Sequence, residues 1–169
     1  MISTLQQLGM ADAKFIVEIT KTEEFTPLGT DSVAYMFTAN PTTKPAPVER
    51  VASGGELSRI MLSLKAMLAE RKKLPTVIFD EIDTGVSGRI ADAMGSIISS
   101  LSNVMQIIDI THLPQVASKD GSHFVVYKED GRTNIRRLAK SERVDEIAKM
   151  LSGSEITEAA RKQAKILLG

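Results

Sequence analysis

Residues 56–117 alternate between helical and strand-like apolar patterns, and this alternation constrains the fold more than any other feature of the chain. Residues 56–73 carry apolar side chains at helical spacing, and residues 76–79 then form a short apolar run of strand length. A second helical stripe and a second apolar run, residues 105–111, follow. Because such an alternation is typical of a parallel sheet covered by helices, we predict an α/β fold.

The helical spacing also predicts which side chains of these helices are buried. In the first helix the predicted buried stripe consists of Leu57, Ile60, Met61, Leu64 and Leu68. In the second helix it consists of Ile90, Met94, Ile97, Ile98 and Leu101. A short third helix is expected near Pro114, because the first turn of a helix does not need the amide that proline lacks.

Antiparallel strands are predicted on both sides of this α/β segment. Residues 13–20 and 32–39 are rich in strand-forming side chains and flank a turn-like sequence at residues 26–30. Residues 123–128 and 133–138 flank Asp130-Gly131, which is a strong hairpin signal. We therefore predict an N-terminal antiparallel β pair and a C-terminal β-hairpin.

The remaining segments are a loop and two closing helices. Residues 40–48 are rich in proline and predict a loop, whereas residues 144–151 and 156–168 predict helices separated at Gly153. A length of 169 residues suits one hydrophobic core, so we expect a single domain over residues 1–169.

The composition excludes several classes of protein. Lys+Arg and Asp+Glu are equal at 21, so the chain has no overall positive charge with which to hold nucleic acid. The chain has no Cys, which excludes a disulfide framework and a thiolate metal site. Its apolar runs are too short to cross a bilayer. We therefore expect a soluble, cytoplasmic protein.

The sequence Ser53-Gly54-Gly55-Glu56 stands where the predicted loop meets the first long helix. The first-turn amides and the positive end of the helix dipole favour an anion there, and glycines let a phosphate approach the backbone. The alternative is a simple N-cap serine followed by a flexible glycine pair, an arrangement that is common in proteins.

Acidic and imidazole side chains follow the two predicted parallel strands. Asp80 and Glu81 end the first strand and His112 ends the second, at the sheet edge where ligands of open α/β sheets bind. In the functional interpretation Asp80 holds Mg²⁺, Glu81 orients or deprotonates the attacking water, and His112 reaches the γ-phosphate of ATP. The alternatives are a pair of solvated acids and a structural histidine.

Two further features complete the motif set. Asp83 and the loop after it lead into the second helix, where Ser87 is the candidate N-cap. No stretch of the 169 residues fits the phosphate loop G-x-x-x-x-G-K-[ST] that usually accompanies such motifs. The sequence therefore predicts one half of an ATPase.

The order of these motifs resembles that of ATP-binding-cassette (ABC) ATPases. Residues 53–56 are similar to their signature motif, residues 77–81 to their Walker B strand, Asp83 to their D-loop and His112 to their switch histidine. More narrowly, residues 51–59, 79–88 and 111–117 resemble the RecN family of bacterial DNA repair and recombination proteins, relatives of the structural-maintenance-of-chromosomes (SMC) proteins.

The resemblance implies a fold and a set of partners. It implies the C-terminal lobe of a P-loop-NTPase-like ABC head, joined to an N-terminal lobe that carries the phosphate loop, with residues 1–8 ending a coiled coil. It further implies that two heads sandwich ATP and Mg²⁺, that Ser53, Gly54, Gly55, Glu56 and Asp83 contact nucleotide, and that the full-length protein meets DNA in the cytoplasmic nucleoid. The isolated chain is then expected to be inactive.

Three other interpretations stay open at this point. The same motifs are present in transporter nucleotide-binding domains and in other SMC-like ATPases. A non-catalytic interaction module that kept the fold and lost hydrolysis is the third, although Asp80, Glu81 and His112 are all present.

Overall fold

The computed structural model describes residues 1–119, 121–153 and 155–169. The helices are α1 Ile2–Gln7, α2 Val48–Val51, α3 Gly54–Lys72, α4 Gly88–Leu101, α5 Pro114–Ala117, α6 Lys140–Ser152 and α7 Glu158–Leu168. The strands are β1 Lys14–Thr26, β2 Gly29–Thr38, β3 Ala46–Pro47, β4 Thr76–Asp80, β5 Gln106–Ile110, β6 Phe124–Glu129 and β7 Arg132–Arg137.

The chain divides into two compact units. Unit 1 consists of Met1–Leu74 and Ile82–Val86, and unit 2 consists of Pro75–Glu81 and Ser87–Gly169. The expectation of a single domain over residues 1–169 stays a prediction.

Unit 1 contains the predicted N-terminal β pair, in which β1 and β2 run antiparallel. Both strands reach further towards the turn than predicted, so the turn consists only of Pro27 and Leu28. The predicted loop over residues 40–48 is wrong at its end, because β3 pairs Ala46 with Phe37 and α2 begins at Val48. Pro47 is tolerated there because β3 is an edge strand, where a missing amide leaves no ladder hydrogen bond unmade.

The core of unit 1 lies between α1, the hairpin and α3, and its buried side chains are Leu5, Met10, Ala13, Phe37 and Ile60. The predicted stripe of α3 is partly wrong, since Leu57, Met61 and Leu68 are exposed. The buried face of α3 consists of Ile60, Leu62, Ser63, Ala66 and Ala69. This face includes the small side chains of Ser63, Ala66 and Ala69, which a rule that selects large apolar side chains does not identify.

Unit 2 contains the predicted parallel strands, with β4 and β5 paired from Thr76↔Gln106 to Asp80↔Ile110. The α4 stripe is largely confirmed, because Met94, Ile98 and Leu101 are buried. The predicted C-terminal hairpin is also confirmed as the antiparallel pair β6–β7, and α6 and α7 pack around a core that includes Ile147 and Ala164.

Candidate functional site

The signature turn, residues 53–56, opens α3 in unit 1. Ser53 is the N-cap: its hydroxyl accepts a hydrogen bond from the Glu56 amide at 3.4 Å, and the Glu56 carboxylate accepts one from the Ser53 amide at 2.8 Å. This capping box confirms that Ser53 caps the helix. Ser53 and Gly54 are exposed, and no atom outside the helix lies within 4 Å of the position of a Cβ on Gly54. The turn therefore presents an open backbone surface at the positive end of a 19-residue helix.

Gly55 faces a second backbone segment of unit 1 rather than open space. A Cβ built on Gly55 would lie 2.5 Å from the carbonyl oxygen of Gly85, and a Cβ on Gly85 would lie 3.0 Å from the amide nitrogen of Gly55. Gly85 also adopts a φ of 78°, which side-chain-bearing residues rarely take. Only glycine fits at both positions without a shift of the backbone.

Sequence reasoning missed two residues that fix the start of α3. Arg59 donates from Nε to the carbonyl oxygen of Gly55 and from Nη1 to that of Leu8, both at 3.0 Å. Ser58 donates from its hydroxyl to the carbonyl oxygen of Thr84 at 2.8 Å. The only sequence signal was their position directly after the signature turn.

The acidic pair lies at the carboxyl ends of β4 and β5 in unit 2. Asp80 is the last residue of β4 and pairs in register with Ile110, while the Glu81 amide donates to the Ile110 carbonyl at 3.0 Å. Asp80 and Glu81 are exposed. Glu81 adopts a φ of 46°, a left-handed backbone that is uncommon outside glycine and is found in excess at functional sites.

His112 stands at the same edge, two residues after Ile110. Its backbone follows Thr111, whose hydroxyl accepts a hydrogen bond from the Leu113 amide at 3.0 Å, and α5 begins at Pro114 as predicted. The exposed His112 therefore follows β5, the strand that pairs with the one ending at Asp80. We name the group Asp80, Glu81 and His112 the carboxyl edge.

Asp83 is buried, whereas a residue that binds nucleotide at the surface would be exposed. Asp83 is only 1% exposed and lies in the loop Ile82–Val86, which belongs to unit 1. A nucleotide contact by its side chain stays a prediction. In the described part of the chain, Ser87 stands at the N-cap of α4, but its hydroxyl accepts no capping hydrogen bond from the helix.

The donor set of the carboxyl edge suits a hard divalent cation. Among the described residues, no group of three or more His, Cys, Asp and Glu side chains is placed to hold a metal. Mg²⁺ in phosphate-transfer sites usually takes one or two carboxylates, with phosphate oxygens and waters as the other ligands. One exposed carboxylate at a strand end, Asp80, fits that pattern.

In residues 1–119, 121–153 and 155–169, no helix combines the length and the apolar character that a membrane crossing requires.

Relatives of the chain are found among bacterial DNA repair proteins. No protein-family model matches the chain. It is 45% identical to the DNA repair protein RecN of Rickettsia conorii over 168 residues, which are 97% of this chain and 31% of that protein. It is 42% identical to RecN of Halalkalibacterium halodurans over 172 residues, covering 97% of this chain and 30% of that protein. The chain thus spans about a third of the length of these relatives and matches their C-terminal part.

Solved structures show the same fold. An Smc head domain with a coiled coil and joint, derived from Pyrococcus yayanosii, superposes with a TM-score of 0.72 at 16% identity over 89% of this chain and 28% of that chain. A second solved chain belongs to a study of ATP-driven dimerization and DNA-stimulated activation of SMC ATPases. It superposes with a TM-score of 0.63 at 13% identity over 89% of this chain and 89% of that chain. The resemblance to RecN and the predicted α/β fold are both confirmed.

Proposed function

We propose that the chain is the C-terminal lobe of a RecN-like ATPase head, which binds and hydrolyses ATP between two heads in the repair and recombination of broken DNA. The observation that carries this proposal is the presence, in one RecN-like chain, of an exposed signature turn and of an exposed carboxyl edge. The protein then works in the cytoplasm on the nucleoid, and its contact with DNA involves the full-length molecule.

An uncovered sheet face supports a partner lobe. On one side of the β4–β5 pair, Ile78, Ile108 and Ile110 are 57%, 45% and 51% exposed, whereas Phe79 on the other side is 0% exposed. Parallel strands are found almost only in sheets that are covered on both faces. We assign this face to the N-terminal lobe, which also supplies the phosphate loop.

Each residue of the carboxyl edge has a different role in ATP hydrolysis. Glu81 orients the attacking water and accepts its proton, a role that suits an exposed carboxylate directly after a strand. His112 donates a hydrogen bond to the γ-phosphate from the neighbouring strand. Asp80 would hold Mg²⁺, which neutralises charge on the phosphate oxygens when bound.

The signature turn serves nucleotide held by a second head. The Ser53 and Glu56 amides are used in the capping box, whereas the exposed Gly54 leaves room for a phosphate to approach the backbone at the positive end of the helix. Ser53 and Glu56 hold the turn in shape through the capping box, so the donors are arranged before the ligand arrives. ATP bound at one head thereby joins the two heads.

The proposal is tested by Glu81→Gln in the full-length protein. The amide keeps the size of the side chain but accepts no proton, so ATP binding should persist while turnover falls by about 100-fold or more. Glu70→Gln, an exposed carboxylate in the last turns of α3, is the matched control and should keep normal turnover. Unchanged turnover in Glu81→Gln would contradict the proposed role.

A further inference from the structure

The loop Ile82–Val86, which follows Glu81 in the chain, is attached to α3 by contacts that the proposed mechanism does not use. The hydroxyl of Ser58 donates to the Thr84 carbonyl at 2.8 Å across 26 residues of sequence. Beside this hydrogen bond the Gly55 and Gly85 backbones touch, because neither carries a side chain. Ile82 and Asp83 are 7% and 1% exposed, so the loop is packed along its first half as well.

The helix end that receives the loop is itself anchored. Arg59 donates to the carbonyl of Leu8, the fully buried residue that directly follows α1, and also to Gly55 in the signature turn. A guanidinium with two donors in a fixed fork holds both carbonyls in one geometry. The Ser58 hydrogen bond therefore ties the loop to a helix end that is already fixed.

The hydrogen bond between Ser58 and Thr84 joins two segments that the proposed mechanism uses. Ser58 lies one helical turn beyond the signature turn, and its partner Thr84 directly follows Asp83. This hydrogen bond therefore joins the loop that carries Asp83 to the first turns of α3, beside the Gly55–Gly85 contact.

We propose that Ser58 is a positioning residue, whose hydroxyl holds the loop Ile82–Val86 against the signature turn so that both meet the second head in one arrangement. The inference rests on the proposed function. Ser58 itself touches no nucleotide in this account and acts through the loop.

The contact is tested by amide hydrogen exchange of Ile82–Val86 in full-length protein without nucleotide. Loss of one neutral hydrogen bond in Ser58→Ala should speed exchange in this loop by about 2- to 10-fold. Ser58→Thr keeps a hydroxyl and should restore slow exchange. The control is Ser63→Ala, since the buried Ser63 hydroxyl bonds the Arg59 carbonyl within the same helix and does not reach the loop.

The role is tested by ATP turnover of the same variants. Ser58→Ala should lower kcat at least threefold with KM changed less than twofold, because the nucleotide's own head is intact. Ser58→Thr and Ser63→Ala should both keep kcat near the parent value. Faster exchange with an unchanged kcat would overturn the positioning role, as would equal losses in Ser63→Ala. A parent protein without any ATP turnover would instead contradict the proposed function. The hydrogen-exchange result would still show whether the Ser58 hydroxyl holds the loop Ile82–Val86.

Discussion

Two neighbouring glycines of the signature turn should respond in opposite ways to the same substitution. In Gly55→Ala the new Cβ would lie 2.5 Å from the Gly85 carbonyl oxygen, and ordinary contact begins at 3.4 Å. The loop or the helix end must therefore move by about 0.9 Å, the difference between these two distances. Overpacking of this kind usually costs about 1–3 kcal/mol. Alanine in a helix recovers up to about 1 kcal/mol relative to glycine. We expect a net loss of roughly 1–2 kcal/mol in the free energy of unfolding.

Gly54→Ala is the matched control, because it makes the same change one residue earlier in the same helix. No atom outside the helix lies within 4 Å of its Cβ position, so only the gain in helix propensity remains. The free energy of unfolding should stay unchanged or rise by up to about 1 kcal/mol.

The assay is urea unfolding of the two variants and the parent chain, with the slope m compared to show that the same surface is exposed. A Gly55→Ala chain that is as stable as the parent chain would refute the close approach of Gly55 to Gly85. A loss in Gly54→Ala as large as that in Gly55→Ala would refute the open surface of the signature turn.

Three further outcomes are expected. The isolated chain should release phosphate from ATP no faster than background, and steady release abolished by Glu81→Ala would contradict this. Arg59→Ala should lower the free energy of unfolding by about 3 kcal/mol, since it removes two hydrogen bonds from a charged group that are worth at least about 1.5 kcal/mol each, and a loss below about 0.5 kcal/mol in urea unfolding would contradict it. Burial, and then the nearby Arg143 guanidinium, lower the pKa of His123 from 6.5 in the folded chain. The unfolded chain therefore binds the proton more readily, so stability should fall as the pH drops below about 6.5, and His123→Gln should flatten the curve between about pH 7.5 and 5.5.

The carboxyl edge was predictable from the sequence because its residues directly follow strands. Apolar runs of strand length identify β4 and β5 in the sequence, and the structure pairs these strands in parallel with Asp80 opposite Ile110. The side chains after both strands must then leave the sheet at one edge. A local pattern also offered Ser53 as an N-cap, as the alternative to an anion site, and the capping box forms because a cap involves only residues three apart.

What the sequence did not show depends on contacts between distant residues. The Ser58 and Arg59 hydrogen bonds span 26 and 51 residues, and no local pattern encodes their partners. The buried face of α3 was mispredicted because small side chains such as Ser63 and Ala66 lie inside and Leu57 outside. The burial of Asp83 is likewise not encoded in the local sequence.

The central claim is that the signature turn closes on nucleotide held by a second head, and Gly54→Asp in full-length protein tests it most directly. The substitution places bulk and negative charge where the phosphate approaches, on a backbone position with open space around it. Nucleotide affinity, association state and ATP turnover are measured on the same folded variant. We predict that each head still binds nucleotide, while ATP-dependent association and turnover are lost together. Normal association of the Gly54→Asp heads with ATP would contradict the account.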